Sequence, residues 1–436
     1  MIYLSYFKYH LNVDCKFIMK NLFLIIPFVS FIFFLGCSST QKTIKGLSYD
    51  PPGSVITTDK KIELQHKRTI SFSTTKVFAS NEFDGGKLND FYKINDTLYA
   101  AEMYAENAPI NNSAWFSFKL WSPVEQSINI ILKYRDGSHR YIPKLSYDGE
   151  LWRAVDTSNY SLDTANNSAI VKLKIGSDTL WISAQELFTS NIYNKWIDEL
   201  SQNKFVKKEK IGNSALGKPI VKIEISETEN PTGLIYIIGR QHPPEVTGAF
   251  ALKHFVETIA GNSGLAGEFR KKFKTVVIPL VNPDGVDMGH WRHNSKGVDL
   301  NRDWVNFNQR ETKIVKESLL KIREEDDVSV LFCIDFHSTQ KDVFYITAKD
   351  STEEVDEIYN QTILWFDKIR KKIPDYFVNI DPSLNNPGSP TSDSWMYNTF
   401  NCPALTYELG DETPRESIKQ TSSSAAEALM ELLLEK

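Results

Sequence analysis

The stretch GLIYIIGRQHPPEVTGAFALKHFVETIAG, residues 233–261, decides the fold class. It opens on a continuous apolar run, the pattern of a strand buried on both faces rather than one half exposed to water. A polar loop follows, and TGAFALKHFVETIAG then reads as a helix. The same rhythm extends in both directions. PIVKIEIS, KTVVIPLV, VSVLFCIDF and PALTYEL read as further apolar strands, and NIYNKWIDELSQ, QRETKIVKESLLKIREE, EEVDEIYNQTILWFDKIRKK and SSSAAEALMELLLEK as helices. This alternation predicts an α/β domain over residues 190–436, built on a mostly parallel mixed sheet flanked by helices. In such sheets ligands gather beyond the carboxyl ends of the strands, so those ends are where chemistry is expected.

Before residue 190 the pattern is short and extended. AWFSFKLW, INIILKY, RYIPKL, ELWRAV, AIVKLKI and TLWISA, separated by turn signals such as Asp136-Gly137 and Asp148-Gly149, predict an antiparallel β-sandwich over residues 61–189. Its Trp115, Trp121, Trp152 and Trp181 are expected in the core rather than on a ligand-binding face. Upstream, Lys20 precedes an apolar run ending in Leu35-Gly36-Cys37, which predicts a secretion signal over residues 1–36, with Met19 a more typical start than Met1. The ending resembles a bacterial lipobox. That resemblance implies lipidation of Cys37, a membrane anchor through the lipid, and export to the bacterial cell envelope, at the outer membrane or the periplasmic face. A single-pass anchor helix is disfavoured, because the run is short and no basic cluster follows it. Residues 37–60 are polar, contain Pro51-Pro52-Gly53, and read as a tether.

Composition narrows the function. The 436 residues are enough for two domains, and 41% hydrophobic with 24% charged residues excludes a disordered chain or a multi-span membrane protein. A net charge of −5 leaves no electrostatic footprint for nucleic acid. Cys333 and Cys402 lie in strand-like runs and are expected as buried thiols, although an oxidising compartment would permit a bridge.

Four strand ends are chemically loaded. Arg240-Gln241-His242-Pro243-Pro244-Glu245 follows GLIYIIG, Asn282-Pro283-Asp284-Gly285 follows KTVVIPLV, His337-Ser338 follows VSVLFCIDF, and PALTYEL contains Glu408. Pro243 pushes His242 out of helical geometry while Pro244 suits a helix's first turn, so His242 and Glu245 flank a loop-to-helix junction. An imidazole and a carboxylate at that spacing, joined by His337 from another strand end, make the His₂Glu set of catalytic zinc sites, with one position left open. HxxE alone is a weak pattern. His290 and His293 are a rival pair, read as surface or cleft residues, and His254 as a core histidine. In GHWRHNSKGVDLNRDW, residues 289–304, Arg292 precedes Asn301-Arg302, and guanidinium groups suit carboxylate and oxyanion recognition.

HPPE, NPDG, WRHN, GVDLNRDW, DFHS and TYEL, in this order, resemble the zinc carboxypeptidases of the pancreatic carboxypeptidase A and B type. The β-rich unit, with AWFSFKLWS and YDGELWRAV, is similar to the N-terminal domain of cytosolic carboxypeptidases. The resemblance implies a carboxypeptidase-like sheet and one Zn²⁺ per chain held by His242, Glu245 and His337. It implies Glu408 as general base and acid, and Arg292 as the group that polarises the scissile carbonyl. Asn301 and Arg302 would take the C-terminal carboxylate of a peptide substrate, and Asp299 would orient the first zinc histidine. Asp393 falls where an acidic residue accompanies preference for a basic C-terminal residue. The usual cleft tyrosine falls on Asn386, leaving Tyr345 or Tyr376 as substitutes, and the catalytic unit is short for the family. Two competitors stand beside this reading: a cell-wall-peptide hydrolase or amidase on the same zinc site, and an inactive peptidase-like lipoprotein that binds peptide or glycan.

Overall fold

A computed structural model describes residues 50–347, 353–385 and 388–435. Cys37, the signal at 1–36, the first part of the tether and Asn386 lie outside the described residues.

The C-terminal half is an eight-stranded mixed sheet with strand order Val206–Asn213, Pro219–Ile225, Lys274–Ile278, Leu234–Gly239, Val330–Thr339, Ala404–Gly410, Val343–Thr347 and Ile380–Asn385. Its centre is parallel, from Lys274–Ile278 through Leu234–Gly239 and Val330–Thr339 to Ala404–Gly410. Antiparallel pairings join the strands on either side to this centre. The continuous apolar run at 234–238 is explained by where alternate residues go. Ile235 and Ile237 pack with Leu252, Phe255 and Val256 of the helix Val246–Ile259, while Leu234, Tyr236 and Ile238 pack with Val315, Leu319 and Ile322 of the helix Arg310–Asp326. Both faces are buried, so apolar side chains fill both sets of positions, and the one hydroxyl among them, on Tyr236, donates to the Leu319 carbonyl at 2.9 Å.

The N-terminal part forms two sheets. One, of six strands, runs Thr69–Phe72, Val77–Ser80, Ser117–Trp121, Leu180–Ser183, Lys144–Ser146, Arg153–Ala154; the other, of five, runs Asp90–Asn95, Leu98–Tyr104, Gln126–Arg135, Ser168–Ile175, Tyr160–Asp163. Their inner faces meet through aromatic pairs, Phe91 on Phe118 and Phe72 on Tyr99 among them. The expected antiparallel pattern holds except between Leu98–Tyr104 and Gln126–Arg135, which run parallel because the connection crosses to the other sheet. Of the four tryptophans, Trp115 is in the core, while Trp121 and Trp181 on strands and Trp152 beside a turn are half-buried.

The two halves dock through a polar seam. Trp291, fully buried, donates its indole N–H to the Trp115 carbonyl at 3.0 Å, and Gln65 reaches the Met288 carbonyl at 3.0 Å. Arg415 makes a forked pair with Glu186 at 2.8 and 2.6 Å. The described end of the expected tether is not a free spacer. Ser54 and Thr57 are buried, and the Thr57 carbonyl and hydroxyl accept from Gln309 and Asn308, each at 2.9 Å.

Candidate active site

Each candidate side chain is delivered by a different local device. His242 and Glu245 leave the strand Leu234–Gly239 through a loop that begins at Arg240, whose backbone sits in the left-handed region at φ 54°. The Arg240 guanidinium reaches forward to the Pro243 carbonyl through Nε at 3.0 Å and Nη2 at 2.7 Å, which folds the HPPE turn back on itself. His337 lies on the strand Val330–Thr339, and the helix Val246–Ile259 comes against that strand only because residue 248 is glycine. A Cβ there would stand 2.4 Å from the His337 carbonyl oxygen. Glu408 is in register beside His337 on the neighbouring parallel strand, so both point to the same face.

The geometry fits a metal-binding set. Glu245 presents one oxygen to His242 Nδ1 at 2.8 Å and the other to His337 Nδ1 at 2.7 Å, and the three potential ligand atoms lie within 4.8 Å of one another. The second nitrogen of each ring meets a carboxylate: His242 Nε2 faces Asp299 Oδ1 at 2.9 Å, and His337 Nε2 faces Asp335 Oδ2 at 2.7 Å. With Nε2–H donated to these carboxylates, each ring would offer its Nδ1 lone pair to the same point, the arrangement that orients zinc ligands. Asp299 was expected beside the first histidine; Asp335 was not, although its place two residues before His337, on the same strand face, is a readable signal. Asp335 is itself held by Gln241 Nε2 at 2.6 Å and by the Ser392 hydroxyl.

The electrostatics favour a cation at this point. Burial alone would raise the Glu245 and Asp299 carboxyls, but the two imidazoles for Glu245, and Arg292 with His242 for Asp299, outweigh it and hold both groups ionised well below their ordinary range. Burial would push His337 down, yet Asp335 and Glu245 hold its proton far above the usual imidazole range, and a divalent ion would take the place of that charge. Glu408 moves the other way. Burial, then the negative charge of Glu245, raise it to about 7.

A cavity of about 340 Å³ is lined by His242, Glu245, His337, Glu408, Arg292, Asn301 and Arg302, together with Tyr345 and Arg140. Arg292 donates through Nε to Asp299 Oδ2 at 2.7 Å, so one carboxylate fixes both His242 and Arg292. Asn301 accepts through Oδ1 from the Ser392 backbone at 2.9 Å. Arg302 meets a carboxylate of this same chain: Asp50 receives Nε at 3.1 Å and Nη2 at 2.8 Å. Of the two substitute tyrosines, Tyr345 reaches the cavity, whereas the Tyr376 hydroxyl goes to Asp342 at 3.2 Å.

Three expectations need correction. Asp393 does not line the cavity. It is buried in the helix Ser392–Phe400, accepts from Thr406 at 3.1 Å, and is raised by burial toward its neutral form. His290 and His293 are neither surface nor cleft residues. Both are buried at the seam, His293 facing Asn107 at 2.6 Å, because the β domain packs over GHWRHN. His254 is only partly buried and faces Glu257 at 3.3 Å along its own helix.

Sequence reasoning also missed Glu106, a fully buried carboxylate of the β domain. Oε1 accepts from the backbone N–H of Arg292 at 3.0 Å and of His293 at 2.7 Å, and Oε2 from that of Trp291 at 2.8 Å. Burial would raise its pKa, but neighbouring His290, His293, Lys87 and the Trp291 N–H bring it down to about 2. Burial also lowers both imidazoles, His293 to about 4, so at neutral pH Lys87 and the three N–H groups carry the stabilisation.

The chain belongs to the zinc carboxypeptidase family, whose model matches residues 193–428, more than half of the chain. Mouse cytosolic carboxypeptidase 6 is 26% identical over 161 residues, 35% of this chain and 30% of that protein. The chain thus spans under a third of the mouse relative's length, and 9% of that of a similar Plasmodium falciparum protein. Among solved structures, a metallo-carboxypeptidase from Burkholderia cenocepacia superposes with a TM-score of 0.70 at 17% identity, covering 83% of this chain and 99% of that one. One from Pseudomonas aeruginosa, in complex with (2-guanidinoethylmercapto)succinic acid, gives 0.66 at 16% identity over 82% and 99%. These likenesses establish the carboxypeptidase fold with N-terminal sheets before it.

Proposed function

We propose that the chain is a zinc-dependent metallocarboxypeptidase that removes C-terminal residues from peptides, with one ion per chain. The observation that carries this is the convergence of His242, Glu245 and His337, each ring clamped by a carboxylate, beside Glu408 and Arg292 in one cavity. When bound, zinc would supply a Lewis acid that polarises the scissile carbonyl and activates water. Glu408, beside His337 in the cavity, would accept the proton of the attacking water and return it to the leaving amine. Arg292, fixed by Asp299, would hold the developing oxyanion, and Asn301 with Arg302 would bind the terminal carboxylate. Metal analysis of the purified protein, with mass spectrometry of peptides before and after incubation, tests the reading. Loss of single C-terminal residues that stops on chelation is expected, and a metal-replete protein that leaves peptides intact and cuts only muropeptides would favour the cell-wall alternative.

We also propose that residues 1–36 are removed and Cys37 lipidated, placing the enzyme on the cell envelope. Radiolabelled fatty acid should enter the wild type and not Cys37→Ser; label in both would refute the assignment.

A further inference from the structure

Arg140 belongs to the β domain, yet it lines the same cavity as His242, Glu245, His337 and Glu408. Its guanidinium is immobilised. Nε donates to Asp411 Oδ2 at 2.8 Å, and Nη1 to the Asn112 carbonyl at 2.9 Å and the Ser113 hydroxyl at 3.1 Å. Among the described residues no hydrogen bond takes Nη2. A guanidinium held through Nε and Nη1 in the wall of a cavity keeps Nη2 as a preorganised donor, since the entropy of ordering the side chain is already spent.

The strand Val330–Thr339 serves as a ruler for where that oxygen lies. Asn301 sits at its Asp335 end, because Asn301 Oδ1 accepts from Ser392, whose hydroxyl reaches Asp335. Arg140 sits at the Thr339 end, because its partner Asp411 donates its backbone N–H to the Thr339 carbonyl at 2.8 Å. Asp335 and Thr339 are four residues apart, about 13 Å at roughly 3.3 Å per residue, and His337 lies between them. A peptide whose terminal carboxylate is at Asn301 and Arg302 and whose scissile carbonyl is beside His337 must continue toward Arg140.

We propose that Arg140 is a substrate-binding residue that donates from Nη2 to a peptide carbonyl on the amino side of the scissile bond, so that the β domain completes the active site. This rests on the carboxypeptidase reading above. The contact is to main chain, so it selects for substrate length rather than for a side chain.

The test uses the zinc-loaded full-length protein, Arg140→Gln and Arg140→Lys, with two substrates: a hexapeptide, and a des-amino dipeptide that has nothing beyond the residue bearing the scissile carbonyl. Metal content and thermal unfolding establish that each variant is folded. Loss of one charged hydrogen bond should lower kcat/KM for the hexapeptide on the order of 10- to 100-fold in Arg140→Gln, with the des-amino dipeptide within about twofold of wild type. Dissociation constants measured in a Glu408→Gln background should show the same split without turnover. Equal loss on both substrates would make Arg140 merely structural and overturn the proposal, as would an unchanged hexapeptide. Wild-type protein that cleaves neither substrate would instead refute the carboxypeptidase reading itself.

Discussion

Replacing Glu106 by Gln tests whether the β domain holds the Arg292 loop by charge. The amide oxygen can take the place of Oε1 and keep the bonds from Arg292 and His293, but the amide nitrogen then confronts the Trp291 N–H, a donor against a donor. One hydrogen bond to a charged acceptor is lost and one buried N–H is left unpaired, together about 2–4 kcal/mol. The pKa points the same way: the carboxyl is brought from 4.5 to about 2, so its ionised form stabilises the fold. Because the folded-state value is the lower one, this stabilisation is complete above about pH 5 and is lost as pH falls from 4.5 through 2. Urea unfolding at pH 7 should therefore show a lower midpoint in Glu106→Gln, and the difference from wild type should shrink as the pH is taken toward 3. Since the loop carries Arg292, kcat should fall by up to about 10²-fold, the scale of losing an oxyanion donor. A variant with wild-type unfolding at pH 7 would refute the reasoning, however active it proved.

Glu408→Gln should lose about 10²–10⁴-fold in kcat while metal analysis still finds zinc; wild-type turnover would remove Glu408 from its role. Asp335→Asn cannot accept from His337 Nε2–H as a charge and should weaken zinc binding about 10- to 100-fold in chelator competition, a loss that Asp299→Asn should match. Asp50 occupies Nε and Nη2 of Arg302, so Asp50→Asn should lower KM for peptides with a free terminal carboxylate, at a stability cost of about 1–3 kcal/mol. An unchanged KM would mean that Arg302 is not the carboxylate reader. Asp393→Asn should leave the ratio of hippuryl-Arg to hippuryl-Phe cleavage unchanged, because Asp393 is buried and does not line the cavity; a collapse of that ratio would restore it to the specificity pocket.

Cys333 and Cys402 show how far local pattern reaches. Both thiols are buried as their apolar surroundings imply, but their 3.7 Å separation follows from the parallel pairing of Cys333 with Ala404, which no short stretch encodes. The same division runs through the site. Apolar continuity located the strands, proline placement put His242 and Glu245 at a loop-to-helix junction, and strand ends pointed to His337 and Glu408. Those features are local, set by backbone geometry and by which faces must avoid water, so the linear sequence by itself determined them. The partners that fix the chemistry came from elsewhere in the chain. Glu106 reaches the Arg292 backbone across 186 residues, Arg140 meets Asp411 across 271, and Asp50 meets Arg302 across 252. A carboxylate or guanidinium bears no local mark of which distant group it will face, because that depends on how two independently patterned surfaces dock. His290 and His293 were misplaced for this reason, and only the tertiary structure decided that the β domain closes over them.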